Sequence, residues 1–273
     1  MVSTVWIGTS WKMTKTLDEA RAFARTLASS VVPQGVQPFV VPAHTSLNVV
    51  RECLSGDTPV LLGAQNAHWA AEGAGTGEIS MRMVADAGAS LVELGHSERR
   101  EQFGETDETV ALKVRAAVDA GLTPLVCVGD PARVRDRGAA PDFVSAQVRI
   151  ALSMLRPEER EQVVVAYEPV WAIGEAGRPA EPDEVAPVMA AIAEEVVRAS
   201  EDRGCRALLY GGSVDLGNAA ALLRDARTDG LFVGRSAWDV EGFLALLTIA
   251  GDHAARWSDV PPPGPRAAAA LRD

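Results

Sequence analysis

The chain has 273 residues, 47% of them apolar and 23% charged, enough to bury a sizeable core as one large α/β barrel or two smaller domains. Its net charge of −11 is the opposite of the dense Lys and Arg surface that phosphate backbones require, so no nucleic-acid partner is expected. A small anionic ligand stays compatible, because oriented backbone amides and one placed lysine make a locally positive pocket in an acidic protein.

The opening stretch, MVSTVWIGTSWK, has no basic segment followed by an apolar one, so a secretory signal is not expected. Within it TVWIGTSW reads as a strand ending at Ser10-Trp11-Lys12, and LDEARAFARTLASS follows with helical periodicity. QPFVVPA and PVLLGAQN read as the second and third strands. The next segment, NAHWAAEGAGTGE from Asn66 to Glu78, is a long Gly-rich connection carrying Trp69 and Thr76. Long structured loops in compact domains are usually functional, and an exposed Trp points to a partner surface; the plainer reading is a loop folded back on its own domain. Its GAGTG run has the wrong spacing for a dinucleotide fingerprint and lies far from its strand.

SLVELGH is the fourth strand, ending at His96, and SERREQ then starts a short helix. After the helical pattern DETVALKVRAAVDAG come the strands TPLVCVG and VVVAYEPV. The latter runs out at Glu168 into a segment punctuated by Gly174 and Gly177, which reads as a flap. DEVAPVMAAIAEEVVRAS repeats apolar residues at three- and four-residue steps with Glu and Arg opposite. RALLYGGS and GLFVGRS complete the strands, ending at Gly211-Gly212-Ser213 and Gly234-Arg235. From Gly251 the chain turns to PPPGP and RAAAALRD, a composition that predicts a poorly ordered extension over 251–273 behind a single domain over 1–250.

The strand–helix units are roughly 30 residues each, the size of a βα repeat. Eight of them close a single-domain (β/α)8 TIM barrel, whose strands read as apolar on both faces because helices cover the sheet. Active sites of such barrels gather at the C-terminal strand ends. Singly, Lys12 reads as a solvated lysine, His96 as a helix cap, Glu168 as a surface carboxylate and the glycines as turns. Jointly, the barrel brings a cation, an imidazole, a carboxylate and two Gly-rich turns to one mouth. That set suits proton movement beside a carbonyl in a phosphorylated sugar, with Glu168 as base, His96 as neutral donor and Lys12 as fixed charge. Amides near Gly174, Ser213 and Gly234 suit the phosphate. His44, His68, His96 and His253 show no metal-ligand spacing with one another or with the cysteines, so neither metal nor cofactor is expected. Cys53, Cys127 and Cys205 are odd in number and widely spaced, which suits reduced thiols in the cytoplasm. The apolar runs stop short of the roughly 20 residues that cross a bilayer, so no membrane partner is expected.

The stretches SWKM, GAQN, TGEIS, ELGHSERR, CVG, AYEPVWAIG, YGGSV and DGLFVG, in this order across 4–250, resemble the triosephosphate isomerase family. The resemblance implies the glutamate base, neutral histidine and closing loop already established for that family. Position by position it implies Glu168 as base, His96 as electrophile, Lys12 as electrostatic anchor and Glu98 as the carboxylate bracing the lysine. Thr76 resembles the residue that reaches into a neighbouring site, which implies a homodimer. Three departures stand out: Ser10 where the family has Asn, Glu175-Ala176 inside the lid, and Arg235 in place of a phosphate-turn glycine. With IGTSWKM and GAQNAHW they resemble a branch acting on four-carbon ketose phosphates, interconverting L-erythrulose 1-phosphate and D-erythrulose 4-phosphate. Ser10 leaves room beside Lys12 for a hydroxymethyl group. Arg235 is expected either to add a forked donor to the phosphate or to pair with Glu175 on lid closure. A triosephosphate isomerase serving glycolysis and gluconeogenesis, and a non-catalytic phosphate-binding barrel, are the alternatives.

Overall fold

Each apolar run forms a strand: β1 (Val5–Ser10), β2 (Val36–Val41), β3 (Leu61–Gln65), β4 (Leu91–Leu94), β5 (Thr123–Val128), β6 (Val164–Tyr167), β7 (Ala207–Tyr210) and β8 (Gly230–Val233). A computed structural model describes residues 4–173, 178–224 and 228–257. The strands pair in parallel in chain order, and β8 closes on β1. The chain is a single-domain (β/α)8 barrel. Its helices are α1 (Leu17–Ser29), α2 (Leu47–Cys53), α3 (Met81–Asp86), α4 (Ser97–Phe103), α5 (Asp107–Asp119), α6 (Ala132–Arg135), α7 (Ala140–Leu152), α8 (Pro182–Ala199), α9 (Ala219–Leu222) and α10 (Val240–Trp257).

Alternation along the strands divides the core in two. Val5, Ile7, Val36, Val40, Val92 and Val126 meet the apolar stripes of the helices, including Phe23, Leu27, Val114, Ile192 and Phe243. The opposite faces turn inward, where Trp6, Phe39, Leu91, Leu125, Val164, Leu209 and Phe232 fill the barrel. Both faces are therefore buried, and this is why the strands lack a polar side in the sequence. The inward rows change character along their length. Leu91 is followed by Glu93 and Leu125 by Cys127, while Trp6 and Gly8 lead to Ser10. Polar groups thus collect at the C-terminal mouth, above an apolar plug.

The plug depends on missing side chains at two glycines. A Cβ on Gly8 would lie 1.9 Å from Phe39 Cζ. The Phe39 ring is fixed from two other sides, stacked on Phe232 at 5.6 Å and edge-on to Trp6 at 6.0 Å. Gly63 does the same for Leu91, whose Cδ1 would be 2.5 Å from an added Cβ.

The expected boundary at Gly251 falls inside a helix. α10 runs through it to Trp257, and an added Cβ at Gly251 would lie 2.4 Å from Pro33 Cβ. The glycine is therefore a close approach between α10 and the turn before β2, not a break. The PPPGP and RAAAALRD stretches lie outside the described residues. In the loop after β3, His68 stacks on Trp69 at 4.1 Å and its Nδ1 accepts from the Ala70 amide at 2.9 Å. Trp69 stays 40% exposed.

Gly8→Ala is expected to destabilise the protein by about 1–3 kcal/mol, the usual range for overpacking a filled core. In Gly8→Ala/Phe39→Leu the loss should be smaller than the sum of the two single losses, because both substitutions act on one volume. Urea unfolding of the four proteins checks this, and strict additivity would refute the account of the plug.

Candidate active site

β1 delivers Ser10 and then Lys12, whose backbone is held in the left-handed region at φ 50, an arrangement that costs free energy outside glycine. Gln65, the last residue of β3, offsets it. Its Nε2 donates to the Lys12 carbonyl and to the Val41 carbonyl, each at 3.0 Å. The Lys12 ammonium then donates to Glu98 Oε1 at 2.5 Å. Trp238 Nε1 donates to the Ser10 carbonyl at 2.9 Å, and Lys15 donates to the Trp238 carbonyl. Together these bonds tie the end of β1 to the ends of β2 and β3, to α4 and to the loop after β8.

His96 stands at the N-terminus of α4, and its Nδ1 accepts the backbone N–H of Glu98 at 3.2 Å. An Nδ1 occupied as acceptor carries no proton, so the neutral ring bears its hydrogen on Nε2. That atom lies 3.3 Å from Glu168 Oε1. Burial, with the neighbouring Lys12 and Arg99 charges, pushes the imidazole down to about 4. His96 is therefore neutral at pH 7, a hydrogen-bond donor and not a cation.

Glu168 follows β6 and is 3% exposed. Burial, then the charge of Glu93, pushes its carboxyl up to about 8, against the opposing pull of Lys12, the Ser97 amide and the Cys127 thiol. Glycine makes room for it, since an added Cβ on Gly211 would lie 3.1 Å from Glu168 Cγ. Glu93 on β4 is buried as well. Burial pushes it up to about 7, while its bond from Ser10 Oγ at 2.8 Å opposes the rise.

The segment leaving Glu168 is anchored on Asp130, after β5. The Asp130 carboxylate accepts from Tyr167 Oη at 2.7 Å and from Trp171 Nε1 at 3.1 Å. Arg135 and Arg178 lie over the Trp171 ring at 4.4 and 4.8 Å, and Arg178 forks onto Glu184 at the start of α8.

Ser10, Lys12, His96, Glu98, Glu168, Ser213, Gly234 and Arg235 line one cavity of about 420 Å³. Eight of the ten site residues expected from sequence thus converge. Gly174, with the expected Glu175 partner of Arg235, lies outside the described residues. Thr76 is exposed on the loop after β3 and does not line this cavity. Sequence reasoning missed Gln65, Glu93, Cys127 and Asp130, while Gly211, placed at the mouth from sequence, proves to make room for the Glu168 side chain. The cavity can do proton transfer at carbon: a buried carboxyl faces a neutral imidazole, with a lysine at one end and Gly- and Ser-rich turns at the other. Among the described residues no cluster suited to a metal ion is present.

A sequence model of the triosephosphate isomerase family matches residues 5–250. The L-erythrulose-1-phosphate isomerase of Mycolicibacterium smegmatis is 50% identical over 91% of this chain and 94% of its own. Proteins of the same name from Rhizobium rhizogenes and Brucella abortus are 51% and 50% identical, each over 89% of this chain and over 93% and 94% of their own.

The buried carboxyls leave a signature in stability. Both titrate higher in the folded protein than the roughly 4.3 of an unfolded Glu, so the native state holds protons that the unfolded chain releases. Their contribution is complete at low pH and is lost as pH rises through about 7 to 8. Stability should fall between pH 5 and 8.5, and Glu168→Gln should remove about 1–3 kcal/mol of that fall. Urea midpoints at the two pH values check the sign; an unchanged fall in the variant would contradict it.

Proposed function

Since this chain belongs to the triosephosphate isomerase family and is an isomerase, we propose that its substrate is a four-carbon ketose phosphate, L-erythrulose 1-phosphate, converted to D-erythrulose 4-phosphate. The observation carrying the substrate is the 50% identity, over nine-tenths of the chain, to a protein of that name. The chemistry rests on the facing of Glu168 and His96 at 3.3 Å.

The carbonyl moves to its neighbouring carbon. Glu168 takes the proton from the hydroxyl-bearing carbon beside the ketone, and the electron pair shifts to give an enediolate. His96, neutral and protonated on Nε2, donates to its oxygens and passes a proton from one to the other. Lys12, positioned by Glu98 and Gln65, supplies the positive charge. A donor placed at a developing oxyanion typically contributes about 100- to 1,000-fold in rate. Glu168 then returns its proton to the former carbonyl carbon, so atoms and charge balance without a cofactor.

The phosphate is assigned to the loops after β7 and β8, at Ser213, Gly234 and Arg235, with Gly174 from the lid. Ser10 leaves space beside Lys12 for the extra hydroxymethyl group. We assign the working state to a homodimer, Thr76 entering the neighbouring subunit beside Lys12. The exposed Met13, Trp69, Met83 and Phe103 support it, since large apolar side chains in water favour an interface. A cytoplasmic location is supported by Cys53 and Cys127 being free thiols.

In deuterated water the enzyme should label the isomerised tetrulose phosphate at carbon. kcat/KM for L-erythrulose 1-phosphate should exceed that for dihydroxyacetone phosphate, and Glu168→Gln should lower kcat by about 100- to 10,000-fold. A clear preference for the triose phosphate would sink the substrate reading, and no label in either would sink the turnover.

A further inference from the structure

Glu93 takes no part in the proton transfers just described, yet it is the most unexpected side chain in the barrel. It occupies an inward position of β4, in the row that begins with Leu91, and it is 5% exposed. A buried carboxyl carries a large desolvation cost that a leucine of similar volume would avoid. Its hydrogen bond from Ser10 Oγ, at 2.8 Å, satisfies one of the roughly four acceptor positions of a carboxylate. Buried ionisable groups of this kind are concentrated at ligand sites.

Its position relative to the cavities gives it a task. The active-site cavity draws on the loops after β6, β7 and β8, with Gly212, Ser213, Gly234 and Arg235 on its phosphate side. A second cavity, of about 570 Å³, draws on β3, β4 and the loops after β2 and β3; Glu93 and Gln65 line it. The two share Ser10, Lys12, His96 and Glu98. The second cavity is deeply buried at Ser10 and Glu93, while Met13 and Phe103 at its outer rim, 98% and 66% exposed in one chain, lie on the face assigned above to the partner subunit. A ketose phosphate with its phosphate beside Ser213 and its reacting carbons between His96 and Glu168 points its far end at the shared wall. A three-carbon substrate ends at the reacting carbons. A fourth carbon extends past them, toward the Ser10–Glu93 pair.

We propose that Glu93, held by Ser10, is a specificity-determining residue that hydrogen-bonds the hydroxyl on the carbon farthest from the phosphate. The inference rests on the four-carbon reading and deepens it. Glu93 titrates close to neutrality, so it can accept from the hydroxyl as a carboxylate or donate to it as an acid. Ser10 fills two roles at once: its short side chain leaves the space, and its hydroxyl fixes the orientation of the carboxyl.

The test compares L-erythrulose 1-phosphate with its 4-deoxy analogue, which keeps the carbon and lacks the hydroxyl. kcat/KM is measured for both in the wild type, Glu93→Gln and Glu93→Leu. A buried site built to bond a hydroxyl discriminates strongly against its absence, so the wild type should prefer the hydroxylated ketose by at least about 30-fold. Glu93→Leu should reduce that preference to within about 3-fold, and Glu93→Gln, which still offers an acceptor and donors, should recover most of it. Comparing the ratio within each protein cancels any general effect on Glu168 or on folding. Glu93→Met, of similar length, replaces the leucine variant if that fails to fold. A wild type without preference, or an equal preference in the wild type and the apolar variant, overturns the subsite and leaves the four-carbon reading standing. Failure of the wild type to turn over L-erythrulose 1-phosphate overturns both.

Discussion

The hydrogen bond from the Glu98 backbone amide to His96 Nδ1, at 3.2 Å, fixes the protonation pattern on which the site depends. With Nδ1 as acceptor, the ring is neutral and its one hydrogen points from Nε2 toward the reacting atoms and Glu168. Reverse the tautomer and, once Glu168 is ionised as a base must be, two lone pairs would face each other across 3.3 Å. The bond exists because α4 begins one residue after His96, so an orphan helix amide is free to be capped by the imidazole itself. The same helix start turns the Ser97 amide toward Glu168 and brings Glu98 round to Lys12. One helix N-terminus therefore orders the base, the donor and the cation.

That arrangement needs a rigid floor, and the barrel supplies it through the change along its inward rows. The Phe39–Phe232–Trp6 plug excludes water from below. Above it stand the residues whose charged forms are expensive to bury, Glu93 and Glu168. In a wetter site the two carboxyls would ionise near 4 and the base would be weak. Drying raises the carboxyl of Glu168 to about 8, closer to the pH at which a proton-transfer group is most effective.

Much of this was legible in the sequence, and what was hidden shares one cause. Lys12, His96 and Glu168 stand where apolar strands run out, so periodicity and motif place them at the mouth. Glu93 and Cys127 lie inside strands buried on both faces, where a single sequence does not say which neighbour faces the interior. Within SLVELGH the glutamate read as one more strand position. Gln65 acts through its side-chain amide on the backbone of Lys12, and Asp130 on Trp171 from another loop; neither relation follows from spacing. Gly251 misled for the opposite reason. Glycine usually signals a break, but here it serves a close contact with Pro33 in mid-helix.

Stability and function pull against each other most sharply at two residues. An apolar side chain at Glu93 or Glu168 would relieve a buried ionisable group and suit the surrounding leucines and valines, so selection for stability alone favours losing both. Glu168 is retained because the reaction needs a base. Glu93 makes that base stronger by its charge, yet proximity to Lys12 offsets part of the repulsion. If electrostatic tuning were its whole purpose, the bond from Ser10 would be counterproductive, since it favours the charged form and lowers the carboxyl again. A side chain held in one orientation against its own neutralisation, lining the second cavity and bonded to Ser10 on the wall that both cavities share, makes better physical sense as a group that reads a ligand.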